Sequence, residues 1–599
     1  MILAYDFEVF RHDWLVVIVD ITRNEEICIV NDREAFREFY ESHKNYIWCG
    51  YNARVYDVWI ARAILGGYNP YDMSQWLIEK GRKGFEFDKS LSSIQLNNYD
   101  VRWSQIAPSL KTLEAFMGLD IRETQVSFDI DRPLTEEEIE MTRFYCAHDV
   151  YSTLMVLIND PQKHFSVDWD LIKEFDLPLS SLNKTGSQRI DMVMEATRRD
   201  YNDEWDFEIE PEIQINKYTH VLEWFKDPKN RNLNKDTKLE TTIAGCTGNY
   251  GWGGCHLSRD CYFGEGNYIA SDIASMYPSS ILNHNMFSRS CESDKKYREI
   301  YEKRLRLKKA KDPRQACLKL CLNSLYGILS SEFSNIRDPR QAHRICCFGQ
   351  LAMLDLIEKI EPYVTLISAN TDSVYVKIEK PENEEIYYSI CKEWEKRMRF
   401  VLEHEKFVKI AQSNVNNYVL VNDDGSVKGK GALVKKLNAL DYDLAVVNRA
   451  VKEYYAHGVP PEKTIWDCDD FMDFMMVKKV SSLYKEAYHG CTFREESVID
   501  EKGKRKKVKV WNGDGVKYDW KTYRVFATTE KLGTLYKKKE DKAPEKFAST
   551  PENCKIVNED IRGWKCSEQK WLDKQWYVDE ARHRIDLFKK SNKKIVELM

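Results

Sequence analysis

Residues 318–330 read LKLCLNSLYGILS, and helical spacing places Lys319, Asn323 and Tyr326 at i, i+4 and i+7, one stripe of a helix. The run from 294 is also helical, and Lys311-Asp312-Pro313 interrupts it, which predicts a helical hairpin with a tight turn. On its first helix Arg304 and Lys308 are again i and i+4, a second basic stripe suited to a triphosphate. A charged hairpin facing only solvent is the alternative. Two aspartates flank this hairpin. In YIASDIASMYP, Asp272 ends a strand, and the chain turns so that the backbone of Ile273, Ala274 and Ser275 faces the same space. In VTLISANTDSVYVKI, Asp372 occupies a turn between two apolar runs, as in a β-hairpin. Bringing these strands together gives two carboxylates at one sheet edge, an all-oxygen site suited to Mg²⁺ beside a triphosphate. Turn aspartates capping their own backbone are the plainer reading.

The N-terminal part has a different pattern. MILAYDFE and WLVVIVDI read as two strands separated by FRHD, and YIWCGYN precedes a helical pattern from Val55 to Leu65. Thr135-x-x-Glu138 forms a capping box for a helix running to about Ile158. Strands followed by helices describe one α/β domain. Asp6 and Glu8 share one face of the first strand, Asp57 opens a helix, and Tyr145 and Asp149 are neighbours on a helix face. Four carboxylates on adjacent elements can hold two divalent ions about 4 Å apart, a clamp for a phosphodiester, with Tyr145 orienting the attacking water. Each fragment alone is common by chance. Residues 160–240 are mixed and carry little signal, and from 241 the chain turns Gly-rich, TIAGCTGNYGWGGCHLS.

With 599 residues, 43% hydrophobic and 31% charged, the chain predicts several domains and excludes a disordered or membrane-spanning protein. Two acids within MILAYDFEVF argue against a secretory signal. The 16 cysteines form no paired CxxC set, which predicts reduced thiols in a cytoplasmic protein and no zinc site. The net charge of −6 hides a split: 37 Lys and Arg against 28 Asp and Glu from Lys428 onward, and 53 against 68 before it. A basic part that grips a polyanion and an acidic part that gathers cations fit that split, as do two solvated faces.

Taken together, these segments resemble family B DNA polymerases. DIASMYPS looks like that family's motif A, Lys319-x-x-x-Asn323-Ser324-x-Tyr326-Gly327 matches motif B, and NTDS is similar to motif C. DFE, Asn52-x-x-x-Tyr56-Asp57 and Tyr145-x-x-x-Asp149 match the three motifs of its 3′–5′ exonuclease, in the family's order. Ser109-Leu110-Lys111 resembles a further motif that steadies a single-stranded 3′ end, and Asn417-Tyr418 with Lys430-Gly431 extends the likeness.

The resemblance implies an α/β multidomain fold: an RNase H-like exonuclease domain (1–165), a connecting segment (166–240), palm (241–293 and 331–435), helical fingers (294–330), and a thumb with the basic C-terminal region (436–599). It implies catalysis by Asp272 and Asp372, and by Asp6, Glu8, Asp57, Tyr145 and Asp149. Metal ligands would be those carboxylates with Ile273, holding two Mg²⁺ per site, or Mn²⁺. A dNTP would meet Ile273, Ala274, Ser275, Tyr277, Arg304, Lys308, Lys319, Asn323 and Tyr326, with Tyr277 under the sugar. DNA would meet Asn52, Tyr56, Ser109, Leu110, Lys111, Gly253, Gly254, Tyr418, Lys428 and Lys430. The partners expected are primer–template DNA and dNTPs, with a helicase, primase or single-strand-binding protein. The compact length looks most like phage members, hence a host-cytoplasmic protein. An exonuclease with a degenerate polymerase half, or a DNA-binding scaffold, are the rival readings.

Three positions depart from the family pattern. Asn370 stands where motif C has its first aspartate. Tyr250-Gly251-Trp252-Gly253-Gly254 holds one residue more than Tyr-x-Gly-Gly. Asn416-Asn417-Tyr418 replaces Lys-x-Tyr. Protein-primed phage members carry insertions on both sides of motif B. Here 47 positions separate Asp272 from Lys319 and 53 separate Lys319 from Asp372, too few for added domains. An ordinary primer and weak strand displacement are therefore expected, with Lys504, Arg505, Lys506 and Lys507 adding some grip.

Overall fold

The computed structural model describes the chain except residues 235–236, 482, 485, 500–504, 540–541 and 590–599; of 498–499, 505–506 and 508 it describes the backbone alone. Lys504 thus lies outside the described residues, as do the side chains of Arg505 and Lys506. Two compact units are present: Met1–Lys184 with Leu437–Val446 and Ile465–Val578, and Thr185–Lys436 with Val447–Thr464 and Asp579–Met599.

The first unit opens with β1 (Ile2–Val9), β2 (Trp14–Asp20), β3 (Glu25–Val30), β4 (Ile47–Gly50) and β5 (Asn98–Asp100), in sheet order β3-β2-β1-β4-β5. β1 is antiparallel to β2 and parallel to β4. Its helices are α1 (Arg33–His43), α2 (Asp57–Gly66), α3 (Pro70–Ile78), α4 (Leu110–Phe116), α5 (Glu136–Asn159) and α6 (His164–Glu174). β3 and α1 have no counterpart in the sequence reading. β3, EEICIV, is an edge strand with one buried residue, so its apolar pattern is weak. The capping box of α5 forms: the Glu138 amide donates to Thr135 Oγ1 at 3.2 Å, and the Thr135 amide to Glu138 Oε2 at 2.8 Å.

Strand parity divides the side chains of β1 between two faces of its sheet. Leu3, Tyr5, Phe7 and Val9 pack with Phe36, Val58, Ile60 and Met73 of the first three helices. Ala4, with Leu15 and Val17 of β2, meets Cys146, Ala147 and Val150 of α5. Side chains alternate along a strand, so Asp6 and Glu8 share the α5 face.

The second unit contains α7 (Gly186–Met194), α8 (Thr219–Lys226) and nine strands: β6 (Lys238–Ile243), β7 (Cys246–Gly251), β8 (His256–Ser258), β9 (Tyr262–Ile273), β10 (Thr365–Asn370), β11 (Ser373–Ile378), β12 (Leu402–Asn414), β13 (Asn417–Val421) and β14 (Val427–Lys430). They form one sheet in the order β14-β13-β12-β9-β11-β10-β8-β7-β6. Between β9 and β13 lie α9 (Met276–Asn283), α10 (Lys295–Lys309), α11 (Gln315–Ile328), α12 (Pro339–Ile360) and α13 (Glu382–Met398). The hairpin read from the sequence is α10 and α11. Its turn places Lys311 at φ 56°, Asp312 accepts from the Arg314 amide at 2.9 Å, and Tyr297 donates to the Leu322 carbonyl at 2.9 Å. α12, buried on most sides through Phe348, Leu351, Leu354 and Ile357, packs against α9, α13 and β11.

Beyond β14 come α14 (Ala445–His457) and α15 (Pro461–Trp466), then β15 (Met476–Lys479), β16 (Glu486–His489), β17 (Phe493–Ile499), β18 (Arg505–Trp511), β19 (Val516–Tyr518), β20 (Thr522–Ala527), β21 (Leu535–Lys538), β22 (Glu545–Lys546), β23 (Cys554–Ile556) and α16 (Lys574–Phe588). These strands form three small sheets, β15-β20-β23, β19-β16-β21-β22 and β17-β18. β17 and β18 pair antiparallel, from Phe493 against Trp511 to Ile499 against Arg505. No disulfide forms among the described residues, and no described helix is long and apolar enough to cross a membrane.

Candidate active sites

In the first unit, β1 carries Asp6 and Glu8, the first turn of α2 carries Asp57, and α5 carries Tyr145 and Asp149. The Phe7 amide donates to Asp57 Oδ1 at 3.2 Å, which ties the start of α2 to β1. Cys146 donates its thiol to the Asp6 carbonyl at 3.3 Å. Ligand atoms of Asp6, Glu8 and Cys146 lie within 4.8 Å of one another, as do those of Glu114, His148 and Asp149. Lys111 enters from α4: its ammonium donates to Asp149 Oδ1 at 2.5 Å and Glu114 Oε1 at 3.3 Å, and lies 4.7 Å from the Tyr145 ring centroid.

The electrostatics are those of a crowded acid cluster. Burial, then the charges of Asp57, Glu8 and Asp149, hold the Asp6 carboxyl well above the ordinary range. Glu8 is raised in the same way, by burial and then by Asp149 and Asp57. Burial pushes Asp57 up to about 7 and Asp149 up to about 6, the latter against the pull of Lys111. One ammonium among these acids leaves an excess of negative charge that a bound cation would relieve. The carboxylates of Asp6, Glu8, Asp57 and Asp149 are hard oxygen donors that suit Mg²⁺ or Mn²⁺; Cys146 and His148 place a thiol and an imidazole beside them.

Of the residues expected to meet DNA here, Tyr56 hydrogen-bonds Ser74 Oγ at 2.9 Å and helps line a cavity of about 470 Å³ that also meets Glu8, Tyr71, Gln75 and Phe128. Asn52, at φ 61°, accepts from Arg102 at 3.0 Å. Ser109 caps α4 and bonds Thr112 Oγ1 at 2.9 Å, and Leu110 packs against a cluster that includes Tyr99 and Leu113. Lys111 points into the acid cluster. Its pairing with Glu114 follows from one helix turn in the sequence; its pairing with Asp149, 38 positions away, has no local signal.

In the second unit β9 lies between β11 and β12. Asp272 pairs in register with Ser373 on one side and Glu403 on the other, and β9 continues one residue further, through Ile273. The Ile273 amide donates to the Asp372 carbonyl at 2.8 Å, so Asp272, near the end of β9, neighbours Asp372 in the turn just before β11. Burial, then Asp372, pushes Asp272 up to about 6, and burial raises Asp372. Past Ile273, Ser275 adopts φ 55° and starts α9. Its Oγ accepts from Arg304 at 2.8 Å; Arg304 is buried, so it braces this turn. Lys308 reaches Glu403 at 2.7 Å. On α11, Lys319 and Asn323 are exposed, and Tyr326 stacks on Tyr277 with ring centroids 3.9 Å apart at 9°.

The departures from the family pattern also have places. Asn370 Oδ1 lies 3.1 Å from His256 Nδ1 on β8. Tyr250 is fully buried, whereas Trp252 donates to the Asn230 carbonyl at 2.7 Å and packs among Trp205, Trp224 and Phe225. Gly253 has open space around it. Gly254, at φ 125°, would bring a Cβ within 2.4 Å of Thr371 Oγ1, so the glycine lets its loop close on the turn that carries Asp372. Tyr418 lies 3.4 Å from Tyr375 through their hydroxyls, Lys430 sits 5.9 Å from the Tyr418 ring, and Lys428 pairs with Glu405. Glu403, Glu405 and His256 carry no signal in the sequence; strand register alone brings them here.

No family model matches the chain. A structural superposition on the family B DNA polymerase of the hyperthermophilic archaeon Pyrobaculum calidifontis covers 98% of this chain and 77% of that one, at 14% identity and a TM-score of 0.40. The chain is also similar to a curated protein, DNA polymerase 1 of Saccharolobus solfataricus, at 30% identity over 142 residues, a stretch that spans 23% of this chain and 16% of that protein.

Proposed function

We propose that this chain is a template-directed DNA polymerase of family B with a 3′–5′ proofreading exonuclease. The observation that carries the reading is the meeting of Asp272, near the end of β9, with Asp372 in the turn before β11, while Tyr326 of the helix that also bears Lys319 and Asn323 stacks on Tyr277. The 142-residue likeness to a protein named as a DNA polymerase supports it. On this reading the nine-stranded sheet is the palm, α10 and α11 are the fingers, and the five-stranded sheet with α5 is an RNase H-like exonuclease domain. The thumb falls within residues 436–599. We read it as a compact member of the kind phages encode, working in a host cytoplasm, and the short spans around motif B leave no room for the insertions of the protein-primed members.

Asp272, Asp372 and the Ile273 carbonyl would hold divalent ions at one site, and Asp6, Glu8, Asp57 and Asp149 at the other. When bound, such ions supply Lewis acidity for a primer hydroxyl or an attacking water, and charge neutralisation for the leaving group. The chain's own groups do the rest. Lys319 and Lys308 bind triphosphate oxygens, Lys308 exchanging its Glu403 partner for phosphate. Arg304 keeps the Ser275 turn in place, and Tyr277, held flat by Tyr326, packs against the sugar. Tyr145 orients water at the second site. Lys428, Lys430 and the basic C-terminal part track the duplex backbone, a salt-sensitive grip.

Asn370, hydrogen-bonded to His256, is the one argument for the rival reading of an exonuclease with an inactive polymerase half, which the likeness to a DNA polymerase does not favour. A labelled primer on a template, incubated with Mg²⁺ with and without dNTPs, separates the readings. Extension supports the polymerase, shortening alone supports the rival, and an unchanged primer refutes both.

A further inference from the structure

We infer that the β15-β20-β23 sheet is a working part of the degradation site, and that Arg524 is the positioning residue through which it acts. This rests on the exonuclease reading of the Asp6–Asp149 cluster. Arg524 belongs to β20, the middle strand of β15-β20-β23, and is fully buried. Among the described residues its guanidinium bonds only to backbone carbonyls. On one side it donates to Glu114 at 3.2 Å, Ala115 at 3.2 Å and Leu119 at 2.7 Å. On the other it donates to Val557 at 3.4 Å and Glu559 at 2.7 Å. Three further bonds join the same segments: Ile121 amide to Asn558 carbonyl at 2.7 Å, Asp560 amide to Asp120 Oδ1 at 2.8 Å, and Ile561 amide to Gly118 carbonyl at 3.0 Å.

A buried guanidinium without a carboxylate partner is a costly way to hold two loops together. Its position gives it a use. Glu114 and Ala115 are in the last turn of α4, where their carbonyls also accept from the Leu119 amide at 3.0 Å and the Gly118 amide at 3.2 Å and the helix end favours positive charge. One turn earlier on this short helix stands Lys111, which bonds Asp149, and the Glu114 side chain itself reaches Lys111. α4 also packs on β15 and β20. Arg524 therefore sets the axial position and tilt of α4, and so where the Lys111 ammonium meets the acid cluster. A displacement of about 1 Å in such a group is enough to slow a phosphodiester cleavage severely.

The test is a double-mutant cycle on 3′–5′ degradation of single-stranded DNA by the full chain, with Arg524→Lys, Arg524→Met and Lys111→Met. The Arg524 variants should lower kcat about 10- to 100-fold, as loss of an orienting group does, with KM for the strand unchanged and primer extension intact. Arg524→Lys, which keeps the charge but loses the fork, should be the milder. Combining Arg524→Met with Lys111→Met should be no slower than the worse single change, because both act through one ammonium. Multiplicative losses in the double variant, a parallel fall in extension, or unchanged degradation in both Arg524 variants would overturn the inference. A parent chain that shortens no strand would instead overturn the exonuclease reading on which it rests.

Discussion

Tyr277 lies nearly parallel to Tyr326, 3.9 Å away, so it cannot turn aside without unstacking. On the polymerase reading, a ring held in that way would be a rigid wall against C2′ of an incoming sugar and would exclude a 2′-hydroxyl. Tyr277→Ala should raise ribonucleotide incorporation at least about tenfold while deoxynucleotide use falls less. Competition between the two nucleotide types in single-step extension measures this, and unchanged discrimination would leave Tyr277 as packing. Asn370 sets a second test. Its Oδ1 faces His256, and a carboxylate there keeps the same geometry while adding the charge that family members carry. Asn370→Asp should keep or raise extension. A fall of tenfold or more, about 1.4 kcal/mol in barrier height, would mean that the neutral pair with His256 is part of this chain's site.

At the scale of elements, β1, α2 and α5 press acids together. Asp57 is 3% exposed, and its carboxyl is raised to about 7. A folded-state value above the unfolded one means that the folded protein holds the proton longer, so stability is lost as pH climbs from about 4 to 7 and stays lost above. Metal-free protein should therefore be less stable at pH 8 than at pH 5. Asp57→Asn should recover stability at pH 8, at most about 4 kcal/mol, and almost nothing at pH 4. Thermal melts in EDTA at the two pH values decide, and Mg²⁺ should stabilise the parent more than the variant. The same elements show which features are legible in the sequence. Asp6-x-Glu8, Asp57 at a helix start and Tyr145-x-x-x-Asp149 are local patterns, as are the α5 capping box and the broken helix of α10 and α11. The edge strand β3 was not legible, because an edge needs few apolar residues. The pairings of Lys111 with Asp149, Gly254 with Thr371 and Arg524 with the end of α4 were not legible either. Each depends on long-range packing, across as many as 410 positions in the last case, and nothing in the neighbouring residues announces it.

For the whole molecule, the two acid sets lie in different compact units, each built from residues of its own unit. Asp272→Ala or Asp372→Ala should abolish extension and leave shortening of a primer, and Asp6→Ala with Glu8→Ala should do the reverse. Loss of both activities from a folded variant would refute the two-site assignment. What lies between the acids of the second unit bears on priming. From Asp272 to Asp372 the chain is taken up by α9, α10, α11, α12 and β10, and the longest stretches outside them, 284–294 and 329–338, are short connections. A separate domain needs about 50 residues, so no segment here can hold a priming protein or encircle a template. The chain should extend an ordinary nucleic-acid primer and should stall at duplex DNA unless a helicase or other accessory protein opens it. Described basic residues such as Lys507, 76% exposed yet paired with Glu495, offer only modest extra grip. Extension on a primed, nicked circle without other proteins measures both expectations. Products many times the circle's length would refute the stall, and transfer of label from a nucleotide to a protein hydroxyl would refute the ordinary primer.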